Sequence, residues 1–96
     1  MAAYVIAIID IADMARYESE YVPGVLPLID KHGGIPLVVT DTVDVKEGSW
    51  PPGRAVVIEF PTRAAADAWH ADAEYQPLLK LRGEISDGML AIVEGI

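Results

Sequence analysis

The sequence contains no cysteine, so disulfides, thiolate nucleophiles and cysteine-bound metals are excluded. Basic residues are scarce: seven Lys and Arg stand against fifteen Asp and Glu, a net charge of −8. That balance repels phosphate backbones and anionic lipids, so neither nucleic acid nor a membrane is an expected partner. The longest apolar stretches, such as YVIAII at 4–9, are far below the ~20 residues that cross a bilayer. No basic segment precedes an apolar run at the start, and a cytoplasmic location is the expectation. None of Ser19, Ser49 and Ser86 sits at a nucleophile-type turn, and Gly33-Gly34 is too short to cradle a nucleotide.

What is present is largely apolar. Hydrophobic residues make up 52% of 96 positions, enough for one small domain spanning 1–96. Residues 4–11, YVIAIIDI, read as a strand that stops at Ala12-Asp13, where a helix N-cap is expected. A helical stripe follows from Met14 to His32 through Tyr17, Tyr21, Val25, Leu28 and Ile29. Pro23 and Pro27 interrupt it, predicting a kink near Val22-Pro23, with Gly33-Gly34 as the stop. Leu37 to Glu47 alternates loosely as a second strand, Gly48 to Gly53 is a proline-rich turn, and Arg54 to Phe60 is the third strand. Thr62 caps a helix that Trp69 is expected to anchor in the core; a further helical piece is expected over Asp72–Leu81, broken at Pro77, and Met89–Glu94 is the last strand.

This order predicts an α+β fold, a ferredoxin-like βαββαβ unit whose four-stranded antiparallel sheet carries its helices on one face. A sheet with one wet face alternates apolar and polar residues, yet Tyr4, Ile6 and Ile8 oppose Val5, Ala7 and Ile9, and Val56 and Ile58 oppose Ala55 and Val57. Both faces are apolar, and two helices cover only one. The simplest cover for the other is the same face of a second copy, so a homodimer is expected.

The start AAYVIA, the helix end KHGG, the block EGSWPPGRAVVIEFP and the helix AAADAWHADAEYQPL together resemble the bacterial domain-of-unknown-function family 1330, over nearly the whole chain. The resemblance implies a dimeric α+β barrel. It also implies kinship with a superfamily that holds cofactor-free monooxygenases, muconolactone isomerases and small-molecule cyclases, without implying one reaction.

With the strand order usual for this arrangement, fourth, first, third, second, the end of the first strand lies beside the start of the third. Asp10 and Arg54 are then expected on one face at one end of the sheet, joined by Glu47 and Trp50 from the turn and overhung by Tyr17 and Tyr21. Such a set suits a small-molecule site. Arg54 and Trp50 would bind a carboxylate or enolate, Tyr17 or Tyr21 would donate a proton, and Asp10 or Glu47 would remove one. The plainer alternative is that Arg54 pairs with Asp10 or Glu47 and the tyrosines are core. At the other end Tyr4, Glu59, Glu94 and His32 gather, with His32 as an acid or base oriented by Glu59, or as a simple helix cap. His70 and Glu74 share a helix face, but catalytic zinc needs three protein ligands and no second histidine is near in sequence, so no metal is expected. The sequence therefore points to a cofactor-independent acid–base enzyme, of isomerase, cyclase, lyase or monooxygenase type, acting on a small anionic or carbonyl-bearing metabolite. A non-catalytic ligand-binding dimer is the alternative, and a purely structural dimer the third.

Overall fold

A computed structural model describes residues 1–96. In chain order the elements are β1 (Ala3–Ile11), α1 (Met14–Arg16), a π-helical segment (Tyr17–Tyr21), α2 (Val22–Lys31), β2 (Ile35–Thr40), β3 (Arg54–Phe60), α3 (Arg63–Ala71), α4 (Gln76–Ile85) and β4 (Ser86–Glu94). All neighbours in the sheet are antiparallel and ordered β2-β3-β1-β4, as the ferredoxin-like reading requires. β1 pairs Ile6 with Val57 on one side and Val5 with Ile92 on the other. Val5, Ala7 and Ile9 therefore share a face with Val56, Ile58 and Phe60, all buried beneath the helices.

Two caps fall where the sequence places them. The Asp13 carboxylate accepts the Arg16 N–H at 3.1 Å and opens α1. The Thr62 hydroxyl accepts the Ala65 N–H at 3.1 Å and opens α3. The expected kink at Val22-Pro23 takes another form. In α-helical geometry the Pro23 ring would meet the Ser19 carbonyl one turn back; instead the preceding turn widens, and the Val22 N–H reaches Tyr17 O. That wider turn carries Tyr17 and Tyr21 inward, where both are buried and their rings stack at 5.1 Å.

Three boundaries differ from expectation. The second strand begins at Ile35 and ends at Thr40, short of Glu47, because the Thr42 N–H turns back to Thr40 Oγ1 and β3 offers no partner before Arg54. Residues 41–53 form a loop. Pro77 lies in the first turn of α4, where its missing N–H has no helical partner to lose, so it opens that helix near Tyr75 and the helix runs on to Ile85. β4 starts at Ser86, since Ser86, Asp87 and Gly88 continue the ladder opposite Ile11, Asp10 and Ile9.

A polar node ties the end of α2 to the end of α3. Asp72 accepts from Lys31 Nζ at 3.0 Å and from the Glu74 N–H at 2.8 Å, and its carboxylate lies 2.7 Å from His32 Nε2. The bonds from His32 and Lys31 hold the Asp72 carboxyl well below the usual carboxylate range. A depressed carboxyl contributes stability above its unfolded pKa of ~4 and loses that contribution as pH falls through the folded value. Asp72→Asn is therefore expected to lower the urea midpoint at pH 7, with the gap to the unsubstituted protein closing as pH drops from about 5 to 2. A gap that stays constant with pH would show the ion pairs to be irrelevant.

Gly53 ends the proline corner with φ of 131°, in a region closed to most side chains, and a Cβ there would lie 2.6 Å from the Ile9 carbonyl. Gly53→Ala is expected to destabilise the fold by roughly 1–3 kcal/mol in thermal or urea unfolding.

Candidate functional site

Between the sheet and the first helical layer lies a cavity of about 110 Å³. Its floor is Val5, Ala7, Ile9, Val56 and Ile58, α2 roofs it with Val25 and Ile29, and it opens to water past Leu26 and Val39. The sheet supplies the floor because strand alternation sends every second residue of β1 and β3 to this side. Four side chains bring polar atoms to the lining: Tyr17, Tyr21, Trp69 and Arg82.

The aromatic members form one cluster. Trp69 is 1% exposed and packs on Tyr75 at 4.6 Å and on Phe60 at 5.6 Å. Its indole Nε1 is buried and has no hydrogen-bond partner in the chain. A buried donor left unpaired costs about 1–3 kcal/mol, so an acceptor that reached it would recover a substantial free energy. The Tyr21 and Tyr75 hydroxyls are bonded at 2.8 Å. Burial pushes the Tyr21 phenol far up, with Tyr75 adding to the effect, and burial likewise raises Tyr17 and Tyr75. Arg82 opposes the rise at all three hydroxyls through its positive charge. These phenols keep their protons at neutral pH; within the Tyr21–Tyr75 pair one hydroxyl donates and the other accepts.

The expected cluster at the hairpin end is only partly assembled. Arg54 stands opposite Ile9 in the β1–β3 register, which puts it on the helix side, and its guanidinium lies 5.7 Å from the Tyr17 ring centre. Asp10 is one residue further along β1, so it points to the opposite face and is exposed. The expected meeting of Asp10 and Arg54 therefore does not occur: the pairing register sets them one residue out of step, and alternation turns one residue into the other face. Arg54 pairs instead with Asp41, its Nε to Oδ1 at 2.9 Å and its Nη2 to Oδ2 at 3.1 Å, and this bond holds the Asp41 carboxyl below its ordinary range. Glu47 and Trp50 are exposed in the 41–53 loop and do not line the cavity.

At the far end, Tyr4 donates to Glu59 at 3.2 Å across the β1–β3 pair, on the face away from the helices. His32 is oriented by Asp72 and not by Glu59, because Glu59 belongs to that other face. Of the residues singled out in the sequence, Tyr17 and Tyr21 are thus the two that reach the cavity. Sequence reasoning missed Arg82 and took Trp69 for core alone; their convergence depends on where α3 and α4 dock, and the one local hint was an arginine four residues after Leu78 and three after Leu79.

No helix is long and apolar enough to cross a membrane. No curated protein matches the chain at a significant level. Among solved structures, a protein of unknown function from Rhodopseudomonas palustris superposes with a TM-score of 0.75 at 14% identity, covering 99% of this chain and 82% of that one. Its methylated form gives 0.78 at 14% identity, over 99% and 81%. An antibiotic biosynthesis monooxygenase superposes with a TM-score of 0.54 at 24% identity, over 100% of this chain and 99% of the other. These likenesses establish the shared α+β fold. The sequence model of the Domain of unknown function (DUF1330) matches residues 2–96, and the chain belongs to that family.

Proposed function

We propose that the protein is a small-molecule-binding homodimer whose ligand occupies the cavity between sheet and helices and presents an acceptor oxygen to the donors there. The observation that carries this reading is the unpartnered indole N–H of Trp69, on a residue that lines a largely apolar chamber. A carbonyl or enolate oxygen would satisfy it, with Tyr17 and Tyr21 as further donors. Donors of this kind suit stabilisation of an oxyanion, one half of acid–base chemistry. The other half, a proton acceptor, is not among the lining residues, which include no carboxylate and no histidine. Binding is therefore better supported than turnover by an acid–base pair.

The homodimer reading rests on the sheet's other face. Ile6, Met89 and Val93 stand exposed on it beside Ile35 and Val38 of β2, with Met89 58% and Ile6 41% accessible. An apolar strip this broad on a small domain is suited to a matching surface, and the same strip on a second copy is self-complementary about a twofold axis.

With Trp50→Phe leaving Trp69 as the only tryptophan, acetophenone is expected to change Trp69 emission saturably and to shift the amide resonances of Val25 and Ile58. The absence of any saturable change in either signal would overturn the binding reading. Light scattering at micromolar concentration is expected to give twice the 10.4 kDa chain mass, and Ile6→Glu to give the chain mass with the helical circular dichroism retained. A monomer in the unsubstituted protein would remove the dimer.

A further inference from the structure

The cations of this chain are mostly neutralised. Arg16 pairs with Glu20, Lys31 with Asp72, Lys46 with Asp44, Arg54 with Asp41, and Arg63 with Asp67 and Glu94. Lys80 and Arg82 form no ion pair, in a chain with fifteen acidic residues; Lys80 is exposed to water, whereas Arg82 is half-buried. A partly desolvated guanidinium without a counter-ion is unfavourable unless something anionic comes to it.

Its position adds the second half of the argument. Arg82, in the last turn of α4, lines the apolar cavity and also a second hollow of about 210 Å³, bounded by Gly83, Ser86, Asp87, Gly88 and Met89 where α4 passes into β4. The two hollows share Ile9, Arg82 and Leu90, so they adjoin at the arginine. One is walled mainly by aliphatic and aromatic groups, and the other is polar. Asp87, the carboxylate on the polar side, accepts its neighbour Gly88 N–H at 3.0 Å and makes no pair with Arg82. The phenols that feel the arginine's charge, Tyr17, Tyr21 and Tyr75, are all pushed up by burial and remain protonated, so they supply no negative charge.

We infer that Arg82 anchors the carboxylate of an amphipathic ligand whose apolar body fills the cavity beside Trp69 and whose charged end faces the polar hollow. This rests on the binding reading above and narrows it to carboxylic acids with a compact aryl or alkyl body. It also moves the anion-binding role from Arg54, which Asp41 already satisfies, to Arg82. The guanidinium fork matches a carboxylate with two parallel hydrogen bonds, and the apolar walls on one side strengthen that contact relative to water.

Benzoate and acetophenone separate the two claims, because they share ring and carbonyl oxygen and differ in charge. At about 0.1 M salt, where the overall negative charge is screened beyond ~10 Å, benzoate is expected to bind the unsubstituted protein about tenfold more tightly than acetophenone. Arg82→Gln is expected to erase that preference while acetophenone affinity stays within about twofold. Retained acetophenone binding also reports that the variant is folded. Equal affinity for the two compounds in the unsubstituted protein, or a preference that survives Arg82→Gln, would overturn the role of Arg82 and leave the cavity reading standing. Failure of both compounds to bind the unsubstituted protein would overturn the two together.

Discussion

Everything in this fold is referred to the backbone ladder of β1, which is hydrogen-bonded along its length to β3 on one side and β4 on the other. Once the register Ile6 to Val57 and Val5 to Ile92 is fixed, side-chain alternation decides the face of each residue in β1, β3 and β4. The buried floor of the cavity, the apolar strip on the outer face, and the separation of Asp10 from Arg54 are three results of that one pairing. A slip of a single residue would exchange the two faces and bring charged Asp10 under the helices.

The second constraint is steric and lies in the first helical layer. Proline beyond the first turn of a helix crowds the carbonyl four residues before it; the chain accommodates Pro23 by widening the turn at Tyr17–Tyr21, whereas Pro27, expected to interrupt the helix, lies inside α2, which runs on to Lys31. The result is a pair of phenols held side by side above an aliphatic floor, each one about 5% exposed. With Trp69 from α3 and Arg82 from α4, three separate helical elements each bring a donor to the chamber, and none of the donors is on a mobile-looking surface loop. A site built from regular elements is pre-ordered, which lowers the entropy that a ligand must overcome on binding.

The sequence was informative wherever the deciding physics is local. Strand patterning, the caps at Asp13 and Thr62 and the stop at Gly33-Gly34 all depend on neighbours within a few residues, and strand order followed from the succession of elements. The candidate site was only half legible. Tyr17 and Tyr21 were found because they lie four apart on an apolar stripe. Asp10 and Arg54 were placed together because the pairing register, a long-range property, was assumed one residue off. Glu47 and Trp50 were drawn in by extending β2 too far, whereas Thr40 and Thr42 close that strand locally. Arg82 and the indole N–H of Trp69 were invisible for a different reason: an unpaired cation and an unpaired donor are defined by what does not touch them, and no spacing in a sequence reports that.

The Asp41–Arg54 pair sits at the two ends of the 41–53 loop, one partner where β2 has just ended and the other where β3 begins. It acts as a clasp across the mouth of the loop, independent of what lies inside. Closing a longer loop adds only about 0.6 kcal/mol for each doubling of its length, so the stretch between Asp41 and the proline corner, which Gly53 fixes against Ile9, is free to lengthen or change composition. The exposed charged stretch Asp44 to Glu47 is thus the part of the molecule where variation, or a grafted peptide, disturbs the sheet and the chamber least.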